Sequence, residues 1–492
     1  MIASLTRHAR WLLFTGIIYL AGCVDKPGPE ISEVTPNVLS TEQGGEVHIL
    51  GTFFDPKASV MLSGISVETQ WVSDSELHIT APPAIGQQGF ASIVVTNPDG
   101  QSVATKTLFS YYSTQLLFDD EQAKTIALAS ADPRAMDIAD LDGDGTMDIV
   151  YSSRSLFRSS ASFIGILFGN GTKKSLPISF RGETDSLLLA DLNHDHILDI
   201  LVADQGMNDV IFIPGAESGI FGKEKRSSLS PKDQFLGIRS IRLVDMNHDG
   251  NMDLVSANEI GNSISVALGN GDGTFSSDVD TFLVDSNPTL VRSADLDGDN
   301  HPDLVTNPIG LGNVDVLLHQ NDFKKDFRSY KKAPIGNESS VSPKRIELSD
   351  VNHDGKPDLI VAIAGTNDIE RYTQLTISLG IGDGSFGPPL FLPLPPSNGI
   401  QMGLDIYDMN GDLHPDIVLL QKHAVQILLG NGDGSFASTL RFNEDLSSSD
   451  DRSLKIMDMN KDGKPDLVIA NSRNALPPFV SGNIQIFYNT SK

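Results

Sequence analysis

Seven times between residues 140 and 466 the chain sets aspartate or asparagine at positions one, three, five and nine of a short loop. Donors at alternate positions of a tightly wound loop turn inward together, and calcium takes about six to eight such oxygens at ~2.3–2.6 Å. The first set is Asp140, Asp142, Asp144 and Asp148, and the second is Asp191, Asn193, Asp195 and Asp199. The third is Asp245, Asn247, Asp249 and Asp253, and the fourth Asp295, Asp297, Asp299 and Asp303. The fifth is Asp350, Asn352, Asp354 and Asp358; the sixth is Asp408, Asn410, Asp412 and Asp416. Asp458, Asn460, Asp462 and Asp466 complete the series. Position seven, held among others by Thr146, Asn251, His301, Lys356 and Lys464, is expected to add its backbone carbonyl only.

The charge of the whole chain points the same way. Asp and Glu number 64 against 36 Lys and Arg, a formal charge of −28, and 23 of the 64 lie at these positions. Three or four carboxylates held together repel one another unless a cation sits among them. Up to seven calcium ions in a structural role are therefore the expected cofactors. The same field excludes nucleic acid and anionic membrane surfaces as partners.

The sets are not alike at position six, where a sharp turn favours glycine. Gly145, Gly250, Gly355 and Gly463 fill it in four loops, and Asn300 in the fourth tolerates left-handed geometry. His196 and Leu413 do not, so the loops at Asp191 and Asp408 are expected to be the weakest sites. Six of the eleven histidines lie in the loops: His194, His196, His248, His301, His353 and His414. Their positions do not aim at the ion, and oxygen-rich sites take hard cations, so solvent-facing histidines are expected rather than zinc ligands. Asp272, Asp383 and Asp433 read as hairpin-turn residues.

Strands must hold these loops. An alternating stretch such as Ser240–Val244 precedes each one, and an apolar run such as Leu254–Ala257 follows. A third strand then ends in a glycine turn, as in Leu268-Gly269-Asn270-Gly271-Asp272-Gly273. Asn-Gly and Asp-Gly accept the positive φ that tight hairpins need. Set starts are 50 to 58 residues apart, room for four strands per unit, and seven such units predict a seven-bladed β-propeller over 113–492. The last unit is one strand short, so residues 114–130 are expected to complete it and remove an exposed edge. The aspartate loops and Leu-Gly-Asn-Gly-Asp-Gly-Ser-Phe turns resemble the FG-GAP/VCBS repeats, which include the propeller heads of integrin α-chains.

Residues 29–112 alternate differently. Val47–Leu50, Ser59–Leu62, Leu77–Thr80 and Ser92–Val95 read as short strands, with turns at Gly44-Gly45, Pro82-Pro83 and Asn97-Pro98-Asp99-Gly100. The pattern predicts an immunoglobulin-like sandwich of about seven strands. Thr35-Pro36, Leu50-Gly51-Thr52-Phe53-Phe54 and Val95-Thr96-Asn97-Pro98-Asp99-Gly100 resemble an IPT/TIG domain, which implies a spacer or binding module. The fold class is thus all-β, a sandwich followed by a propeller.

Arg7, His8 and Arg10 precede the apolar run Trp11–Leu20, which spans about 15 Å as a helix, half a bilayer core. Residues 1–22 fit a signal peptide. Leu20-Ala21-Gly22-Cys23 resembles a bacterial lipobox, which implies lipidation of Cys23, a tether over 23–28, and a membrane partner held through the lipid. Val24 lacks the aspartate that marks inner-membrane retention, pointing to the outer membrane or cell surface. Cys23 is the sole cysteine, so no intrachain disulfide exists. No Gly-x-Ser-x-Gly, His-Glu-x-x-His or phosphate-binding glycine loop is present. The two tryptophans, Trp11 and Trp71, lie outside the propeller region, leaving it without that sugar-stacking side chain. A non-catalytic module for adhesion or scaffolding, binding protein or glycan, is the expected function. A calcium-dependent polysaccharide lyase or glycoside hydrolase is the alternative.

Overall fold

The computed structural model describes residues 27–491, except 37, 41–43, 84–88, 106–108, 113–115, 119–122, 129–131, 155–162, 179–185, 231–233, 309–311, 320–326, 328, 336–341, 367–370, 393–402, 422–423, 444–451 and 472–481. The signal-peptide region and Cys23 lie outside the described residues, as do parts of the 114–130 segment. Strands dominate, and one single-turn 3-10 segment, Glu217–Gly219, is the helical element among the described residues. Among those residues no helix is long and apolar enough to cross a membrane.

The chain divides into two compact units. In the first, Glu30–Thr35, Gly45–Thr52, Glu76–Ala81 and Thr69–Ser73 form one sheet; Ser102–Thr105, Ile93–Thr96, Ser59–Leu62 and Ile65–Val67 form another. Alternation sends Val47, Ile49, Leu77 and Ile79 inward from the first sheet and Val60, Ile93 and Val95 from the second. Trp71 Nε1 donates to the Phe54 carbonyl at 3.1 Å, giving its polar edge a partner.

The second unit holds seven four-stranded antiparallel sheets. The third is typical: Ile238–Val244, Asp253–Asn258, Ser263–Gly269 and Phe275–Leu283 lie side by side in chain order. Six sheets follow that order. The seventh takes Arg452–Met457, Asp466–Asn471 and Asn483–Phe487 from the C-terminal end and Lys124–Ala127 as its fourth strand. Lys124 pairs with Ile486 and Ala127 with Asn483, and Leu128 N donates to the Gly482 carbonyl at 3.0 Å.

The second strand of each sheet explains the stacking. Its side chains alternate between two buried faces, so it reads as an unbroken apolar run. In Asp199–Asp204, Ile200 and Val202 pack with the first sheet's Val150, Ile164 and Ile166. Leu201 and Ala203 pack with the third sheet's Ile241, Leu254 and Ala267. The same alternation joins the third sheet to the fourth, the fourth to the fifth, the fifth to the sixth, and the sixth to the seventh. The series closes where Val468, Ala470, Ile484 and Ile486 of the seventh sheet meet Met136, Ile138, Ile149 and Tyr151 of the first. Seven apolar clusters, each shared by two neighbours, form one ring.

Candidate metal centres

Every aspartate loop joins the first strand of a sheet to its second. The first strand ends on the residue before position one, and the second begins on position nine, in all seven sheets. The seven position-nine carboxylates, from Asp148 to Asp466, are fully buried. Each accepts two backbone N–H groups. In the third loop Met246 N donates to Asp253 Oδ2 and Gly269 N to Oδ1, both at 2.8 Å. Position two, the first donor, is an apolar plug: Leu141, Leu192, Met246, Leu296, Val351 and Met409 are all buried. The second donor stands at the end of the third strand, and in five sheets it is glycine: Gly169, Gly215, Gly269, Gly380 or Gly430. A Cβ on Gly269 would lie 2.2 Å from the Met252 carbonyl oxygen, so the close approach requires glycine there.

Positions one and five bind backbone in the same way. The position-one carboxylate accepts the position-six N–H in every loop, from Gly145 N on Asp140 at 2.7 Å to Gly463 N on Asp458 at 2.8 Å. The position-five carboxylate accepts the position-seven N–H in every loop, from Thr146 N on Asp144 at 2.7 Å to Lys464 N on Asp462 at 3.0 Å. Each carboxylate oxygen keeps a further lone pair, so these bonds leave room for a cation. His196 and Leu413 adopt the position-six geometry despite their side chains, at φ 67° and 68°. Position four needs it too: His194, His248, His353 and Lys461 lie at φ 58–63°.

The loops differ most at position three. Where it is asparagine, as in the second, third, sixth and seventh loops, its amide donates to the position-five carboxylate at 3.0–3.2 Å. Where it is aspartate, three carboxylates converge: Asp140, Asp142 and Asp148 in the first loop, and Asp295, Asp297 and Asp299 in the fourth, within 4.8 Å of one another. Burial pushes the position-nine carboxyls up, Asp253, Asp303 and Asp466 to about 6 and Asp416 to about 8. The backbone bonds pull the other way, and neighbouring loop carboxylates add to the rise. A divalent cation seated there would supply the missing countercharge.

Several loop histidines meet one another across neighbouring loops. His248 Nε2 lies 3.2 Å from His301 Nδ1, and His353 Nε2 lies 2.9 Å from His414 Nδ1. His194 Nε2 contacts Asn251 Oδ1 at 3.0 Å. In each case position four of one loop touches position seven of the next, so these side chains clasp adjacent loops. His196 stays almost fully exposed. The hairpin aspartates serve their own turns: Thr274 N donates to Asp272, Ser385 N to Asp383 and Ser435 N to Asp433, each at 2.9 Å. The turns also reach the preceding sheet, where Gly273 N donates to the Leu192 carbonyl at 3.0 Å and Gly384 N to that of Leu296 at 2.9 Å.

The FG-GAP-like repeat family matches residues 191–256, 245–306, 350–419 and 408–469, and each match starts at a position-one aspartate. The IPT/TIG domain family matches residues 29–111. The chain carries an IPT/TIG domain and FG-GAP-like repeats. The loop at Asp140 lies outside the matched repeats, although its backbone bonds are those of the other six. No curated protein matches the sequence. Among solved structures, a lectin from Agrocybe aegerita that recognises non-reducing terminal N-acetylglucosamine is 16% identical, with a TM-score of 0.44 over 80% of this chain and 92% of its own. An auxiliary nutrient binding protein from Bacteroides thetaiotaomicron is 12% identical, TM-score 0.37, over 95% and 98%. The Dos1 propeller is 10% identical, TM-score 0.40, over 93% and 95%.

Proposed function

We propose that the FG-GAP-like repeats form a calcium-stabilised, non-catalytic binding module for a protein or glycan, exported and held at a bacterial membrane by lipid on Cys23. One observation carries this reading: the carboxylates at positions one, five and nine of all seven loops are tied to loop backbone. Groups fixed in that way orient and seat a hard cation but are poorly placed to shuttle protons, because their lone pairs and rotamers are committed. Calcium then acts on the fold, cancelling repulsion within each loop, and leaves recognition to the surfaces the rigid ring presents. Asp140, Asp142 and Asp148, together with Asp295, Asp297 and Asp299, form the best-assembled donor sets.

Calcium titration of the EDTA-stripped mature chain tests the metal, with thermal melting read in parallel. Several ions per chain and a melting temperature raised by calcium are expected. Unchanged melting would overturn the structural role. A glycan and proteome array with calcium-loaded chain tests the module, and cleavage of an arrayed polysaccharide would replace binding by catalysis. Globomycin should make a precursor accumulate, and a Cys23→Ala chain that stays on the membrane would overturn the anchor.

A further inference from the structure

The first strands of the seven sheets also line a cavity of about 490 Å³ whose charge opposes that of the chain. Seven Lys and Arg side chains face it against three carboxylates, in a protein of formal charge −28. Two tiers make it up. Three residues before position one, the first strands contribute Asp137, Arg242, Arg292, Glu347, Asp405 and Lys455, equal numbers of each sign. These neutralise one another: Arg292 Nε and Nη2 donate to Glu347 at 2.8 and 2.6 Å, and Lys455 Nζ lies 2.9 Å from Asp137.

The second tier, six residues before position one, is not balanced. Arg134, Arg239 and Lys344 stand there, with Arg345 next to Lys344. Among the described residues that line the cavity at this level, Glu259 is the single carboxylate, 3.4 Å from Arg239. Each of the three cations sits at a β-bulge. Ile238 pairs with Asn258 and Ser240 with Ala257, making Arg239 the extra residue; Pro343 and Arg345 pair with Ile363 and Ala362, making Lys344 the extra residue. In the first sheet the register skips between Pro133 and Met136, across Arg134. A bulge gives up ladder bonds and re-aims a side chain. Here three strands do so at one level, and each places a cation on the same cavity.

Cations gathered in that way repel one another, and an anion between them removes the repulsion. The guanidinium fork matches the paired oxygens of carboxylate, sulfate or phosphate. The volume falls in the range of small-molecule sites, about 300–1,000 Å³. We propose that this cavity binds a small ligand carrying an oxyanion group: a sugar acid, or a sulfated or phosphorylated small molecule. The proposal goes beyond the binding module above and depends on neither the metal loops nor the anchor.

Isothermal titration of the calcium-loaded mature chain tests it, using sodium glucuronate, sodium sulfate and glucose 6-phosphate at constant ionic strength, with glucose as the neutral control. Saturable binding of at least one anion near one per chain is expected, none with glucose, and at least tenfold weakening in both Lys344→Met and Arg239→Gln. The anion that binds identifies the source of the oxyanion. Ligand-free melting shows that each variant is folded. Competition between a binding anion and excess sulfate in the unaltered chain gives a readout that needs no variant. Absence of saturable heat with all three anions, unchanged affinity in folded variants, or failure of sulfate to compete would each overturn the proposal.

Discussion

Asp253→Ala isolates what the ninth position does apart from any metal. The Asp253 carboxylate is fully buried and accepts Met246 N and Gly269 N, both at 2.8 Å. A bond to a charged acceptor contributes ~1.5–3 kcal/mol, so losing both costs about 3–6 kcal/mol and strands two buried donors. Asp253→Asn keeps one accepting oxygen but turns an amide toward the other N–H, and should lose at least half as much. Asp249→Ala removes an exposed carboxylate that holds Asn251 N at 2.8 Å, so without metal it should cost about 0.5–1 kcal/mol. Urea unfolding in EDTA at pH 8 measures all three, since burial holds Asp253 to about 6 and ionisation is complete there. Adding calcium should then enlarge the Asp249→Ala deficit. Equal losses for Asp253→Ala and Asp249→Ala in EDTA would refute the anchoring role.

Three further outcomes follow from other parts of the ring. Leu413→Gly should stabilise the sixth loop by about 1 kcal/mol in EDTA, because leucine at φ 68° carries a left-handed penalty that glycine lacks; melting curves of the two chains check this. Burial and the nearby Glu347 carboxylate push Asp405 up to about 6. The protonated form is therefore favoured by folding, and that stability is present below pH ~4 and lost as pH rises through 6. Asp405→Asn should match the parent near pH 4 and exceed it by up to ~3 kcal/mol at pH 7, read from urea midpoints across that range. Leu128→Ala, at a buried site where the N-terminal strand joins the first and seventh sheets, should cost about 2–5 kcal/mol; calorimetry would show a loss well below 1 kcal/mol if that strand were dispensable.

The loops were legible because their chemistry is local: four donors within nine residues survive any strand assignment. The ninth aspartate's second role was hidden, since its other donor lies 14 to 23 residues downstream, and in the fourth and seventh sheets is His319 or Asn489 rather than glycine. Position six drew attention to His196 and Leu413, yet the carboxylates converge where position three is aspartate, a side-chain effect that turn propensity does not register. The histidines expected to face solvent include cross-loop pairs, because position four of one loop and position seven of the next are more than 50 residues apart and meet only when sheets stack. The sandwich has more, shorter strands than the alternation suggested, such as Ile65–Val67 and Thr69–Ser73, which two residues of turn cannot be seen to separate. The cationic tier escaped notice for a similar reason. Arg134, Arg239 and Lys344 share no motif, and a bulge has no sequence signature short of the ladder itself.

The fourth strand of the seventh sheet sets the order of events during synthesis. Lys124 leaves the ribosome 362 residues ahead of its partner Ile486. Each of the first six sheets can zip as its own strands emerge, a succession of short-range hairpins. The seventh cannot, so one open strand edge and one apolar face of the first sheet wait for the end of the chain. Through that interval the nascent chain is an unclosed stack with a sticky flank. Closure then comes as one late, long-range step, and the growing chain is most exposed to misassociation just before it.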